Sequence, residues 1–232
     1  MNATTNNADG LAASGQAVRA LIFDLDGTLI DSRLDLANSV NATLEHLGRP
    51  PLSHDEIFSY VGNGAPALIR RALGDATEEQ AAGALSFFLE YYRQHMLDLT
   101  KPYPGVLEGL QRFRGLPMAV LTNKPVRFSR AILNGLDLSR FFPFVYGGNS
   151  FERKKPDPMG VHVILRDLRA DAGESMMVGD SEVDVQTARN AGIRVCGVTY
   201  GLGSPRLADS APDLLVASLV ELADCLGFTE PA

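Results

Sequence analysis

Short apolar runs recur along the chain, and most of them end in acid, glycine or threonine. Arg19–Leu25, Met118–Thr122, Phe144–Tyr146, Met176–Val178 and Val195–Val198 predict buried parallel strands. A strand covered on both faces is apolar throughout and does not alternate. Between the runs lie amphipathic stretches with helical spacing, at Val106–Arg114, Ser129–Leu136, Met159–Leu168 and Val183–Ala191. Strand and helix in alternation predict an α/β core, a Rossmann-like parallel sheet with helices on both faces.

Residues 34–98 break this rhythm. They read as helices at Leu34–Leu47, Ser53–Tyr60, Ala65–Leu73 and Thr77–Leu97, with no strand between them. Ser53 with Glu56, and Thr77 with Gln80, have the spacing of capping boxes. The Pro/Gly-punctuated segment Lys101–Gly105 suits a return linker. The expected organisation is an α/β core built from 18–33 and 99–232, with an all-helical cap at 34–98 inserted after the first strand. Residues 1–17 are Asn-, Thr-, Ala- and Gly-rich and lack the basic and apolar regions of a signal peptide, which predicts a disordered tail.

Composition narrows the function. The chain's 232 residues suffice for a filled core plus an insert. The formal charge of −7 argues against nucleic acid as a partner. It still permits a small anionic substrate, because one metal ion and a few donors can reverse the field inside a cleft. No apolar run reaches the length of a membrane span. The two cysteines, Cys196 and Cys225, have no metal-ligand spacing and read as small core side chains. They agree with a reducing compartment, and the cytoplasm is the expected location. The sequence leaves the oligomeric state open.

The chemistry gathers at strand ends, where ligands of parallel sheets bind. One end reads Asp24-Leu25-Asp26-Gly27-Thr28, another Thr122-Asn123-Lys124, and a third Gly179-Asp180-Ser181-Glu182-Val183-Asp184, while Lys154-Lys155-Pro156 follows a fourth. If these ends converge, Asp24, Asp26 and Asp180 share one crevice, and their repulsion calls for a cation. Oxygen-only ligands suit Mg²⁺, which also coordinates substrate phosphate. A nearby lysine would offset the charge of acids and phosphate. Thr122 and backbone amides would hold phosphoryl oxygens, and Gly27 would let the backbone approach closely. Asp184 suits either a helix N-terminus or a role behind the metal ligands, holding metal-bound water. His46, His54, His95 and His162 have no evident partner set and read as non-catalytic.

In order and spacing these segments resemble the four motifs of the haloacid dehalogenase superfamily. The likeness covers nearly all of the chain from Arg19 onward. Asp26–Ser32, Val61–Ala65, Arg70–Leu73, Thr122–Pro125, Lys154–Pro158, Gly179–Ser181 and Thr199–Gly201 are similar to segments of bacterial phosphoglycolate phosphatases. One departure is Asn149, where relatives often carry Asp, and it bears on how Lys155 is oriented.

The resemblance implies a Mg²⁺-dependent phosphomonoesterase. Asp24 is then the nucleophile and Asp26 the general acid and base. Asp24, the Asp26 carbonyl and Asp180 hold the metal, with Asp184 behind them. Gly27, Thr28, Thr122, Asn123 and Lys155 surround the phosphoryl group. Gly62, Asn63, Gly64, Arg71 and Lys124 are the candidates for substrate specificity, Lys124 for a substrate carboxylate such as that of 2-phosphoglycolate. Another small phosphomonoester, a sugar phosphomutase and a catalytically dead binding module stay open as alternatives. Dehalogenases of the superfamily lack the second acid of the first motif. Phosphonatases use a cap lysine, and residues 33–98 contain none.

Overall fold

The computed structural model describes residues 17–203 and 207–228. The predicted tail, apart from Ala17, lies outside the described residues. Six parallel strands form the main sheet: β1 (Ala20–Phe23), β4 (Met118–Leu121), β5 (Phe144–Tyr146), β6 (Ser175–Gly179), β7 (Arg194–Val198) and β8 (Leu214–Val216). Their order across the sheet is β5-β4-β1-β6-β7-β8. β1 is central, with Leu21 opposite both Met118 and Met176. Alternate side chains supply the two faces. Leu21, Phe23, Val120 and Val178 join one buried cluster, and Ile22, Ala119, Met177 and Val195 join the other. The expected fold class is the observed one. The Leu214–Val216 strand and the helix after it, Leu219–Cys225, go beyond the predicted elements.

A two-residue strand β2 (Ile30–Asp31) leads into four helices: α1 (Arg33–His46), α2 (His54–Ser59), α3 (Ala65–Leu73) and α4 (Glu78–His95). The chain returns through β3 (Lys101–Pro102), which pairs antiparallel with β2. Part of the expected linker is therefore a strand, too short to carry any periodicity of its own. Asp35, at the start of α1, fastens the crossing. Its carboxylate accepts from Leu99 N and from Thr100 N and Oγ1, at 2.7–3.1 Å.

Local capping matches the sequence reading only in part. Thr77 and Gln80 form the reciprocal box at the start of α4. Ser53 Oγ accepts from Glu56 N, but the Glu56 carboxylate turns to the Tyr60 hydroxyl, so that box is half formed. Cys196 is buried as expected, whereas Cys225 is exposed because the last turn of its helix presents it outward. Among the described residues, no helix is long and apolar enough to cross a membrane.

Candidate active site

The strand order creates the site. Because β6 lies next to β1, the carboxyl ends of these two strands bring Asp24 and Asp180 together. The helix after β6, Glu182–Ala191, adds Asp184. The three carboxylates offer oxygens that lie within 4.8 Å of one another, and all three residues are buried. Lys155 enters from the loop that follows β5. Its ammonium donates to Asp24 Oδ1 at 2.9 Å and to Asp184 Oδ1 at 2.6 Å. Burial pulls this lysine's pKa down, but Asp184 and Asp24 outweigh that and hold it above the ordinary value.

One buried cation does not balance three buried acids. Burial is the main cause that lifts Asp24 to about 6, with Lys155 opposing and Asp184 adding to the rise. Burial together with repulsion from Asp184 and Asp24 lifts Asp180 to about 7. Such a cluster of oxygens fits a divalent cation, whose charge removes the repulsion. The oxygens are already oriented. Asp24 Oδ1 accepts from Leu25 N at 2.7 Å as well as from Lys155, and neither bond uses Oδ2. Asp180 accepts from Thr28 Oγ1 at 3.3 Å and from Gly203 N at 2.9 Å. Asp184 Oδ2 accepts from Ser181 N and Oγ, so both of its oxygens are engaged. This suits Asp184 to orienting Lys155 and the loop.

Gly27 is required by space. Its φ is +86°, and a Cβ there would lie 2.3 Å from Asp180 Oδ2. Gly201 is equally constrained, since its Cβ would meet Asp180 Cβ at 2.2 Å. The Gly201 and Gly203 contacts to Asp180 go beyond the sequence reading. The Thr199–Gly201 likeness is the one signal pointing to this loop.

Asp26 lines the same cleft as Asp24 and has its own set of partners. Ser32 Oγ donates to Asp26 Oδ1 at 2.5 Å, and Lys124 Nζ donates to Oδ1 and Oδ2 at 2.9 and 3.1 Å. Lys124 is buried, and its Nζ sits 4.7 Å from the centroid of the Tyr92 ring. Burial lowers its pKa, and Asp26 and Tyr92 more than reverse that. Thr122 is buried at the end of β4, and its Oγ1 accepts from Lys124 N at 3.2 Å.

The cap closes over these groups. The cleft between cap and core is lined by Asp24, Asp26, Thr122, Asn123 and Lys124 from below, and by Gly62, Gly64, Leu68, Phe88 and Tyr92 from above. Its free volume is about 50 Å³. Asn123 Nδ2 donates to Gly62 O at 3.1 Å and Lys154 Nζ donates to Asn63 O at 2.5 Å, tying the cap loop to the core. The Gly62–Gly64 loop thus offers carbonyls to the core. At the start of α3, Pro66 has no N–H, and the Ala67 N–H turns to Gly64 O, so this helix start offers few free amides. Arg71 is exposed, donates to Tyr60 O, and does not line the cleft. None of the four histidines lines it either. Asn149 Oδ1 accepts from Val126 N at 2.9 Å, while Lys155 is oriented by Asp24 and Asp184.

A buried carboxylate at the end of a central strand, a lysine bonded to it and four helices over the cleft are the arrangement to which the comparisons give a class. Residues 21–198 match the family described as haloacid dehalogenase-like hydrolase, and the chain belongs to that family. Its likeness within the family is to phosphoglycolate phosphatases. Phosphoglycolate phosphatase 1 of Pseudomonas aeruginosa is 38% identical over 216 residues, covering 89% of this chain and 79% of that protein. The phosphoglycolate phosphatase of Chromobacterium violaceum is 40% identical over 216 residues, covering 90% and 96%. The crystal structure of a predicted phosphoglycolate phosphatase from Haemophilus somnus superposes with a TM-score of 0.84 at 30% identity, covering 89% and 97%.

Proposed function

We propose that the chain hydrolyses a small phosphomonoester, 2-phosphoglycolate, through a phosphorylated Asp24. The observation that carries this reading is the environment of Asp24. One of its oxygens is pinned by Lys155 and Leu25 N, and the other is left out of both bonds in a cleft that also holds Asp26.

Asp24 Oδ2 attacks phosphorus in line, and the bond from phosphorus to the ester oxygen breaks. Asp26 supplies the proton that makes the leaving group an alcohol. It then takes a proton from the water that attacks the phosphorus of the aspartyl-phosphate, releasing phosphate and restoring Asp24. Lys155 offsets charge at the nucleophile, while Thr122, Asn123 and the backbone around Gly27 and Thr28 are the candidates for orienting phosphoryl oxygens. Asp24, Asp180 and the Asp26 carbonyl are the groups that would hold Mg²⁺, whose chemistry is to neutralise the transferring phosphoryl group. The cap excludes bulk water during the first step. Related hydrolases named for phosphoglycolate, at 38% and 40% identity over most of the chain, support the substrate.

A panel of phosphomonoesters including 2-phosphoglycolate, assayed with Mg²⁺ and with EDTA, tests the proposal. Highest kcat/KM for phosphoglycolate, lost on chelation, is the expected result. Higher values for sugar phosphates or nucleotides would overturn the substrate, and full activity in EDTA would remove the metal.

A further inference from the structure

Ser32 stands between β2 and α1, where the chain leaves the core for the cap, and it occupies the N-cap position of α1. Serine is common at N-caps because its hydroxyl accepts from an N–H of the first helical turn. Ser32 makes no such bond. Asp31 takes over part of that duty, since its Oδ1 accepts from Arg33 N at 3.3 Å. The Ser32 hydroxyl donates instead to Asp26 Oδ1 at 2.5 Å, and the residue is completely buried. Helix capping therefore does not account for a serine at this position, and the Asp26 carboxylate does.

The acceptor sites of Asp26 show what this bond achieves. Each carboxylate oxygen has two of them. Oδ1 accepts from Ser32 Oγ and, at 2.9 Å, from Lys124 Nζ, which fills both. Among the described residues, Oδ2 accepts from Lys124 Nζ alone, at 3.1 Å, so one of its sites stays open. A proton on the carboxyl group needs an open site. With Ser32 in place that site is on Oδ2. Without Ser32 both oxygens compete for the proton, and the carboxyl group loses one of the bonds that fix its plane.

We propose that Ser32 is a positioning residue for Asp26, and that it makes Oδ2 the oxygen that carries the catalytic proton. The inference rests on the reading of Asp26 as general acid and base. In the first step the proton passes from Asp26 Oδ2 to the ester oxygen as its bond to phosphorus breaks. In the second step a proton passes from the attacking water to Oδ2, while the water oxygen bonds to phosphorus and the bond from phosphorus to Asp24 breaks. The Ser32 proton stays on its own oxygen throughout. Proton transfer requires the acid within hydrogen-bond reach of the leaving oxygen, so fixing one oxygen and freeing the other acts on rate rather than on substrate binding.

The test compares two esters, p-nitrophenyl phosphate and the alkyl phosphate with the highest kcat/KM in the substrate panel. The enzymes are the wild type, Ser32→Ala, Asp26→Ala and the double variant, with thermal melting to show that each is folded. At initial rate, kcat/KM reads formation of the aspartyl-phosphate and leaves out its hydrolysis, which the two esters share. The alkyl leaving group needs a proton, and p-nitrophenolate does not. Ser32→Ala should lose about 10-fold on the alkyl ester, the lower end of what a hydrogen bond to a charged group supplies, and little on the aryl ester. Ser32→Thr, which keeps the hydroxyl, should recover most of the loss. With Asp26 already replaced by alanine, Ser32→Ala should change nothing further, because the group it positions is gone. Equal losses on both esters, or a loss that persists without Asp26, would mean that Ser32 serves packing and would overturn the proposal. An unchanged kcat/KM for the alkyl ester would overturn it too. A wild type that hydrolyses no phosphomonoester would overturn the phosphomonoesterase reading itself. One that hydrolyses only the aryl ester would remove the acid role of Asp26, and that of Ser32 with it. If Ser32→Ala fails to fold, Ser32→Cys, which keeps the shape with a weak donor, must show the same selective loss for the proposal to stand.

Discussion

Replacing Asp24 by asparagine should abolish turnover and at the same time make the metal-free protein more stable. Asparagine keeps the shape of the side chain and an oxygen that can accept from Leu25 N and Lys155 Nζ, but it cannot attack phosphorus. The gain in stability follows from the crowding of Asp24, Asp180 and Asp184. The Asp24 carboxyl is raised from 3.8 to about 6, mainly by burial. The ionised form therefore costs the fold about 3 kcal/mol, an order-of-magnitude figure because neighbouring acids share the effect. The sign is that of a raised acid. The cost vanishes well below the unfolded value of 3.8, where the group is protonated folded or unfolded, grows as pH rises, and is complete above its folded pKa. The Asp24→Asn variant should thus gain stability at pH 7.5 and little at pH 4. A gain of about 1–3 kcal/mol in a chain of this size raises Tm by roughly 2–12 °C. Thermal melting in EDTA at the two pH values reads this, and kcat with Mg²⁺ reads the chemistry. A lower Tm at pH 7.5 in EDTA would refute the crowding argument. Near-normal kcat in a folded preparation would refute Asp24 as the nucleophile.

Asp26→Ala should lower kcat by about 10²–10⁴ for an alkyl phosphate. The loss should be smaller for p-nitrophenyl phosphate, whose leaving group needs no proton, and equal losses would count against the acid role. Mg²⁺ should raise Tm strongly at pH 7.5 and weakly at pH 5, because protonated Asp180 and Asp24 no longer repel or bind; an equal rise at both would remove the acids from the metal site. Ca²⁺, which prefers more ligands at longer distance, should bind yet inhibit, and turnover with Ca²⁺ matching that with Mg²⁺ would contradict this. Lys124→Gln should lower kcat/KM for phosphoglycolate by roughly 10- to 150-fold. It should also reduce the value for p-nitrophenyl phosphate, because Lys124 orients Asp26. If the neutral ester is unaffected, the Lys124–Asp26 pair does not matter to catalysis.

Local pattern was enough to reveal five of the six strands of the core, the helical insert and the acids at the strand ends. Each of these is written in a few neighbouring residues: an apolar run, a 3.6-residue period, an Asp-Leu-Asp-Gly-Thr turn. The two-residue strands β2 and β3 stayed hidden because two residues have no period. What the tertiary structure alone decided was which of these ends meet. Chain order does not dictate that β6 lies beside β1, yet this adjacency is what places Asp180 against Asp24. Nor does local pattern by itself say which of two adjacent residues faces the site, and only the resemblance to the family's motifs singles out Lys155. Lys155 is buried between Asp24 and Asp184, while Lys154 reaches across to the cap. Tyr92 enters the cleft, while Tyr91 stacks on His95 at the cap surface. Successive side chains on a helix point about 100° apart, so the docking of α4 on the core chose between the tyrosines. The same docking brought the Tyr92 hydroxyl beside Lys124, a residue distant in the chain, and no local pattern carries that contact.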